Sequence, residues 1–258
     1  MTPAQDTTRL FGGAADLYDR YRPGYPDALY ELILERAKGR GLAVDLGAGT
    51  GKALPPLLGT FAKILAVEPD PNMAALIPPA PTLTVAKTTA EAVPLPARGV
   101  DLFTCGTAFH WFDGPRVLSR LAEAAAPGAL LAVFTYYRPD PGPAAKRVIE
   151  TELHERWDRH KNDRLGRHDY ADRAIAAHPA WTGPERTKLP YRFEMSTDDL
   201  AGFYASTSYA SEYLRTLDDP QRYLDDLSAK LADAAGSKTL RVSLPVETRL
   251  STLAEDTP

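Results

Sequence analysis

The sequence predicts an α/β fold built on a doubly wound, mostly parallel sheet with helices on both faces. Short apolar runs, which are typical of buried strands, alternate with segments of helical character through the first half of the chain. Strands that alternate with helices form parallel sheets with right-handed crossovers. In addition, the first apolar run, residues 42–46, leads directly into a turn with three glycines at alternate positions.

The first half of the chain predicts five strands with helices between them. A helix is expected to begin at Pro26, because proline suits a first helical position and an apolar stripe follows it. The helix after the glycine turn contains Pro55 and Pro56, which should shorten or bend it. The predicted strands are residues 42–46, 63–67, 82–86, 100–105 and 129–136, and the predicted helices are residues 26–38, 52–58, 72–77 and 115–125.

The second half of the chain changes in character after a proline-rich stretch at residues 139–143. Apolar alternation predicts two further strands, which complete a seven-stranded sheet, although Pro245 should interrupt the ladder of the last strand. Helices are predicted on either side of the first of these strands. The predicted elements are helices 144–159, 161–177, 198–204 and 220–235 and strands 187–193 and 239–250.

The glycine turn indicates a ligand site. Gly47, Gly49 and Gly51 let the backbone turn sharply and approach a ligand closely, because they carry no Cβ. A strand, a glycine turn and a helix together bind nucleotides at the carboxyl end of a parallel sheet. A phosphate-binding P-loop is excluded, since Leu46 stands where its first glycine is required and Ala53 where its hydroxyl is required.

The residues around the turn favour a cationic ligand over a dinucleotide. A dinucleotide fingerprint requires its third glycine at the position of Lys52. The carboxylate of Asp45, beside the turn, would repel a pyrophosphate. The same carboxylate suits a ligand that carries an ammonium and a sulfonium group.

The pattern Asp45-x-Gly47-x-Gly49-x-Gly51 resembles the first motif of class I S-adenosylmethionine (SAM) methyltransferases, which have a Rossmann-like fold. Four further segments resemble this family in the right order: 65–70, 90–96, 101–113 and 127–131. Among them, residues 90–96 resemble the family's adenine-edge loop. The resemblance implies that Glu68 holds the ribose hydroxyls and that Met73 packs on the adenine. It implies the following cofactor-binding residues: Tyr18, Arg22, Asp45, Gly47, Ala48, Gly49, Gly51, Glu68, Pro69, Met73, Ala90, Glu91, Thr107 and Phe109.

The segment from Tyr18 to Pro26 resembles the N-terminal cover of small-molecule methyltransferases of the type 11 group, which includes enzymes acting on trans-aconitate. That resemblance implies that Tyr18 and Arg22 close over the SAM aminocarboxylate, whereas the alternative is an aromatic loop packed on the sheet. We therefore expect one methyltransferase domain over residues 1–258 with three attached segments: an N-terminal lid at 1–25, a helical insertion at 140–180 and a C-terminal helical substrate segment at 195–235.

Candidate residues for the acceptor side follow strands four and five and lie in the C-terminal helical segment. His110 is the candidate catalytic residue, either as a general base or as a group that positions the substrate. For every candidate, packing in the protein interior is an equally suitable role. The candidate substrate-binding residues are His110, Trp111, Tyr136, Tyr204 and Tyr209.

The resemblance implies a SAM-dependent methyltransferase that acts on an oxygen, nitrogen or carbon atom of a small organic molecule and releases S-adenosyl-L-homocysteine. In such an in-line displacement, positioning of the acceptor is the main catalytic effect. Two alternatives stay open. One is a SAM-binding protein of the same fold that catalyses another reaction, such as a cyclisation. The other is a nicotinamide-dependent oxidoreductase, which Lys52 and Asp45 oppose.

Composition and charge indicate which partners, metals and cellular setting to expect. The formal net charge is −4 and the basic residues are scattered, so no nucleic-acid partner is expected. No apolar run reaches membrane-spanning length, so no membrane partner is expected. Cys105 is the single cysteine, which predicts no disulfide, no thiolate metal site and a cytoplasmic setting. His154 and Asp158 lie one helical turn apart but lack a third ligand, so no metal is expected. A monomer or homodimer is expected.

Overall fold

The computed structural model describes residues 15–162 and 169–254, which form two compact units. The first, here named the α/β unit, contains residues 24–136, 169–189 and 246–254. The second, here named the helical unit, contains residues 15–23, 137–162 and 190–245.

The strands and helices are numbered along the chain. The strands are β1 (Leu42–Leu46), β2 (Lys63–Val67), β3 (Leu83–Ala86), β4 (Val100–Gly106), β5 (Ala125–Thr135), β6 (Glu185–Leu189), β7 (Arg192–Ser196), β8 (Thr239–Ser243) and β9 (Val246–Thr252). The helices are α1 (Ala15–Tyr21), α2 (Asp27–Arg36), α3 (Pro71–Ala75), α4 (Gly114–Ala124), α5 (Pro143–Glu152), α6 (Tyr170–Ala177), α7 (Thr197–Ala205), α8 (Ser208–Leu214) and α9 (Pro220–Ala235).

The α/β unit contains a seven-stranded sheet in the order β3-β2-β1-β4-β5-β9-β6. Strands β1 to β5 are parallel, and β9 lies antiparallel between β5 and β6. This arrangement is the doubly wound, Rossmann-like sheet that the sequence predicts. The strand order reverses at β1 and β4, and ligands of open α/β sheets bind at such a reversal, beyond the carboxyl ends of the strands.

One face of the sheet is covered by α4 and α6. Helix α4 buries Val117, Leu118 and Leu121 completely, as the apolar spacing of this segment predicts. Ile175 of α6 and Trp181, which follows it, belong to the same hydrophobic core. Burial of several large apolar side chains, each worth about 1.5–3 kcal/mol, therefore fixes both helices beside the ends of β4 and β5.

The helical unit combines α7, α8 and α9 with α5 and the two-stranded sheet of β7 and β8. Ser196 caps α7, because its hydroxyl accepts a hydrogen bond from the amide of Asp199 at 3.0 Å. Helix α5 continues into a π-helical turn, Leu153–Trp157, which places the buried ring of Trp157 on that of Tyr204, with centroids 5.5 Å apart. Turns of this kind often mark functional sites.

Three predicted elements are wrong in whole or in part. Residues 52–60 form successive turns and no helix, because Pro55 and Pro56 lack amide hydrogens and disfavour the helical conformation in the residue before each of them. The predicted strand 239–250 is two strands, β8 and β9, which separate at Leu244 and Pro245. The predicted strand 187–193 is also divided: the sixth strand of the sheet is Glu185–Leu189, and residues 192 and 193 begin β7, which pairs with β8.

The three predicted segments are distributed between the two units. Of the expected lid, residues 1–14 lie outside the described part of the chain, and the remainder contains α1. Of residues 140–180, α5 belongs to the helical unit and α6 to the α/β unit, while residues 163–168 of the predicted helix 161–177 lie outside the description. Residues 195–235 contain α7, α8 and α9.

Within residues 15–162 and 169–254, no helix is both long and apolar enough to cross a bilayer. In the same described ranges, no group of three or more His, Cys, Asp and Glu side chains is placed to hold a metal ion.

Candidate functional site

The glycine turn follows β1 and is fastened to the end of β2. The amides of Gly47 and Ala48 both donate to the carbonyl of Val67, at 2.9 and 3.0 Å. The φ angles of Gly47, Gly49 and Gly51 are +68°, +58° and +86°. These values lie in the left-handed region that glycine adopts without a steric penalty. The backbone therefore requires the glycines that the sequence pattern provides.

Glycine is also required at position 47 because two other residues lie very close to its Cα. A Cβ at this position would lie 2.5 Å from the Cβ of Ala108 and 3.4 Å from the ring of Phe112. Both residues belong to the loop that follows β4, residues 107–113, here named the β4 loop. The glycine turn and the β4 loop consequently pack against each other at the carboxyl end of the sheet.

Asp45 is a buried carboxylate beside this turn. It is 1% exposed, and its Oδ1 accepts a hydrogen bond of 2.7 Å from the hydroxyl of Thr104 on the adjacent β4. Its Oδ2 has no hydrogen-bond partner among the described residues. Burial raises the pKa of Asp45 to about 6, and the negative charge of Glu68 adds to that shift. An ionised, incompletely paired carboxylate in this position is suited to a cationic group.

Glu68 ends β2 and connects it to the glycine turn. Its Oε2 accepts from the amide of Gly49 at 2.8 Å, and its Oε1 accepts from the amide of Asp70 at 2.9 Å. Burial raises the pKa of Glu68, although the two amide hydrogen bonds partly oppose the shift. Each oxygen of a carboxylate can accept a second hydrogen bond, so acceptor capacity is left for two hydroxyls.

The chain after Glu68 continues through Pro69 into the short helix α3. Asp70 caps this helix, since its Oδ1 accepts from the amides of Asn72 and Met73 at 2.8 and 3.4 Å. The side chain of Met73 is buried. The Oδ2 of Asp70 and the hydroxyl of Thr50 are both buried and have no partner in the described part of the chain.

The segment at residues 90–96, here named the adenine-edge loop after its resemblance, is joined to the β4 loop. Ala90 is buried. The Oε1 of Glu91 accepts from the amide of Asp113 at 3.0 Å. The carboxylate of Glu91, predicted to bind the cofactor, thus has a structural partner in the protein.

The β4 loop begins with a strained residue. Thr107 has a φ of +55°, which is rare for a β-branched side chain and costs about 1–3 kcal/mol. Its hydroxyl shares a hydrogen bond of 3.0 Å with the hydroxyl of Tyr25, and its amide donates to the carbonyl of Phe134 at 2.8 Å. A Cβ on Gly106 would lie 2.7 Å from the Tyr25 hydroxyl. Strain of this kind is concentrated at functional sites.

The candidate catalytic residue lies on the same loop. Phe109–Trp111 forms one 3-10 turn, in which Phe109 is buried and His110 and Trp111 are half-buried. The rings of His110 and Trp111 lie with centroids 4.8 Å apart. Tyr136, just past the end of β5, is buried beside Tyr25 at 5.3 Å between ring centroids. The structure thus places His110 after β4, as predicted, and its chemical role stays a prediction.

Four predicted site residues belong to the helical unit. The Nε of Arg22 donates to the hydroxyl of Ser206 at 2.8 Å, and its guanidinium lies 4.3 Å from the ring centroid of Phe203 and 5.3 Å from that of Tyr18. Burial raises the pKa values of Tyr204 and Tyr209. Ligand contact by these residues stays a prediction.

Sequence reasoning missed three residues that shape the site: Thr104, Tyr25 and Tyr170. A polar residue inside the apolar run of β4 is a signal that could have identified Thr104. Tyr25 lies in the segment from Tyr18 to Pro26, where its local pattern does not distinguish it from the other aromatic residues. Tyr170, whose hydroxyl contacts the β4 loop, lies in a charged segment with no pattern that could have identified it.

Comparisons with known proteins fit this geometry. A family model described as "Methyltransferase domain" matches residues 44–133, which run from β1 through most of β5. An uncharacterized methyltransferase of Mycobacterium tuberculosis is 37% identical over 130 residues, which are 50% of this chain. A solved structure from Anaeromyxobacter dehalogenans, named provisionally as a type II methyltransferase, superposes with a TM-score of 0.74 at 29% identity, covering 89% of this chain and 97% of that one.

Residues 44–133 thus match a methyltransferase domain in sequence, and the Rossmann-like fold around them is shared with solved methyltransferases. A protein of Dictyostelium discoideum, also named provisionally as a methyltransferase, is 25% identical over 252 residues, covering 93% of this chain and 94% of its own. The phosphoethanolamine N-methyltransferase 2 of Haemonchus contortus, solved with phosphomonomethylethanolamine and S-adenosylhomocysteine, shares the fold of the methyltransferase domain. The superposition has a TM-score of 0.55 at 13% identity, and it covers 97% of this chain and 59% of the Haemonchus contortus chain. The match to the mycobacterial relative spans about half of that relative's length, 53%.

Proposed function

We propose that this protein transfers a methyl group from S-adenosyl-L-methionine to a small organic molecule. The observation that carries the proposal is the buried carboxylate of Asp45, whose Oδ2 lacks a partner in the described ranges, beside a glycine turn at the carboxyl end of β1. A glycine turn that served a phosphate would present amides and positive charge. A turn that presents a carboxylate instead suits the ammonium and sulfonium groups of SAM.

The residues of the α/β unit fit the remaining parts of that cofactor. Glu68 keeps acceptor capacity for the two ribose hydroxyls. Met73 and Ala90 offer buried apolar surface to the adenine. Gly47, Gly49 and Gly51 keep the backbone of the turn open to close approach. The predicted contacts of Tyr18, Arg22, Pro69, Glu91, Thr107 and Phe109 belong to the same proposal.

When bound, SAM supplies an activated methyl group whose bond to sulfur breaks as the lone pair of the acceptor forms the new bond. Sulfonium is already a good leaving group, so the protein mainly orients the acceptor and excludes water. His110 lies on the β4 loop, beyond the strand end where the acceptor is expected. We propose that it contacts the acceptor, either by taking its proton or by orienting it through a ring nitrogen. Trp111, Tyr136, Tyr204 and Tyr209 are the proposed substrate contacts.

A small organic acceptor is the proposed substrate class, and a nucleic acid is not, because the net charge is −4 with no basic cluster. The co-crystallised ligands of the Haemonchus contortus enzyme, a small phosphomonoester and S-adenosylhomocysteine, support this choice. We further propose a cytoplasmic protein that acts as a monomer or homodimer, which size-exclusion chromatography with light scattering would test.

Titration calorimetry with S-adenosylhomocysteine (SAH), SAM and NAD tests the cofactor. Binding of SAH and SAM without NAD is expected. Binding of NAD alone would overturn the proposal in favour of an oxidoreductase. Counting of labelled methyl groups with a panel of small acids and phenols then tests the reaction. Consumption of SAM without label in any product would indicate a different SAM-dependent reaction, such as a cyclisation.

A further inference from the structure

Helix α6 reaches the β4 loop through one side chain. The hydroxyl of Tyr170, the first residue of α6, accepts a hydrogen bond from the amide of Gly114 at 2.8 Å and donates one to the carbonyl of Phe112 at 3.1 Å. Its ring lies 5.9 Å from that of Phe109, between centroids. The two backbone groups that it bridges stand immediately before and after Asp113. Both hydrogen-bonding functions of the hydroxyl are therefore used on the end of the β4 loop.

The sequence leaves room for this hydroxyl at Gly114. A Cβ on Gly114 would lie 2.9 Å from the Tyr170 hydroxyl oxygen, 3.2 Å from the Cβ of Ala174 and 3.2 Å from the ring of Phe109. Gly114 begins helix α4, where a residue with a side chain has the better helical propensity. Access for the tyrosine, at a cost in helix propensity, is a physical reason for glycine at this position.

Asp113 extends the connection to the adenine-edge loop. Its amide donates to Glu91 at 3.0 Å. Its side chain caps α4, because the Oδ1 of Asp113 accepts a hydrogen bond from the amide of Arg116. Tyr170 thus fixes the backbone on both sides of the residue that joins the two loops. The hydrogen bonds run without interruption from α6, through the β4 loop, to the adenine-edge loop.

The same segment is also anchored away from these loops, through Asp172 in the first turn of α6 and through Trp181 beyond its end. The buried carboxylate of Asp172 accepts from the Nε of Arg186 on β6 at 2.7 Å and from the Nε of Arg249 on β9 at 2.9 Å. After the helix, the indole of Trp181 donates to the carbonyl of Leu118 on α4 at 3.1 Å. Loss of one partner of a buried ion pair is costly, so α6 is held firmly in place.

We infer that Tyr170 is a positioning residue for the cofactor site: it holds the β4 loop and the adenine-edge loop in the arrangement that binds the nucleoside part of the cofactor. The inference rests on the proposed function, because it takes these loops as the cofactor's adenine side. A loop held in place before binding loses less conformational freedom when the ligand arrives. Tyr170 therefore acts through Asp113 and Glu91 and needs no contact with the ligand.

The test compares Tyr170→Phe with wild type by two measurements. Titration calorimetry should give SAH an affinity about 5-fold to 10-fold weaker in the variant, the loss expected for about one hydrogen-bonded loop contact. The nucleoside 5′-methylthioadenosine, which lacks the aminocarboxylate, should lose affinity by the same factor. Hydrogen exchange of the ligand-free protein should quicken in residues 90–96 and 107–114 and stay unchanged in the glycine turn.

Two further variants separate positioning from general stability. In Gly114→Ala, the added methyl group would displace the hydroxyl of Tyr170 while the tyrosine itself is kept. This variant should therefore show the same weaker SAH affinity and the same faster hydrogen exchange as Tyr170→Phe. Trp181→Phe removes a hydrogen bond of the same segment to α4 without touching either loop. It should lower the melting temperature at least as much as Tyr170→Phe and leave the SAH affinity within about twofold of wild type.

The outcomes are distinct. If wild type does not bind SAH, the proposed function fails, and the inference about a cofactor site fails with it. If wild type binds SAH and Tyr170→Phe binds it equally well, only the positioning role is overturned. Unchanged hydrogen exchange in both loops of Tyr170→Phe overturns that role whatever the affinities are.

Discussion

Replacement of Asp45 by asparagine should remove a pH-dependent loss of stability from the ligand-free protein, so that the variant gains stability relative to wild type as the pH rises. The pKa of Asp45 is raised by burial from 3.8 to about 6. The folded protein therefore binds this proton more tightly than the unfolded chain, and wild type loses stability as the pH rises from about 4 to 6. At about 1.36 kcal/mol per pKa unit, the full loss is about 3 kcal/mol. Asparagine does not titrate, so the variant escapes this loss.

Urea unfolding of both proteins at several values between about pH 4.5 and pH 7.5 measures the effect, since about 2 kcal/mol of the difference should develop across this interval. Titrating groups that do not interact with Asp45 cancel when the two curves are subtracted, and the interaction of Asp45 with Glu68 is part of the measured difference. A constant cost from the buried amide of asparagine shifts the difference curve without changing its slope. Asp226→Asn, at an exposed carboxylate of α9, controls for the loss of one negative charge. Difference curves that stay flat within about 0.5 kcal/mol would refute the reasoning.

Three further predictions concern the same site. Glu68→Gln should weaken SAH at least about 10-fold, because glutamine offers one acceptor oxygen where Glu68 holds two amides; an effect below about twofold in calorimetry would contradict this. Gly47→Ala should abolish SAH binding, because its Cβ would overlap Ala108, whereas Gly59→Ala, also at positive φ but with no atom within 4 Å of the new Cβ, should lose stability alone. His110→Asn should lower turnover about 10²-fold if His110 is the base and only slightly if it positions the acceptor. SAH affinity should stay the same in either case, and wild-type kinetics with His110→Ala would exclude both roles.

Local patterns predicted the part of the site that one strand and its turn create. The glycines after β1 appear in the sequence because the backbone conformation depends on them directly. The place of Glu68 followed from the apolar run that it ends. Both features are determined within a few residues of the chain.

The rest of the site depends on pairings between distant segments, which a single sequence does not contain. Thr104 faces Asp45 only because β4 lies beside β1. Tyr170 meets Gly114 only because α6 packs against α4. The wrong prediction of a continuous strand over residues 239–250 has a similar origin. Alternation continues on both sides of Pro245, but the two halves pair with different strands.

The position of β9 in the sequence affects the folding of the chain during its synthesis. Strand β5 pairs on one side with β4, which directly precedes it among the strands, and on the other side with β9, which follows it much later in the sequence. Until a ribosome has synthesised β9, the apolar edge of β5 has no strand to cover it, and open edges of this kind invite association between nascent chains. Strand β6 is made earlier but joins the sheet only through β9. Any truncation before residue 246 should therefore yield an aggregating fragment, because it leaves that edge of β5 unpaired.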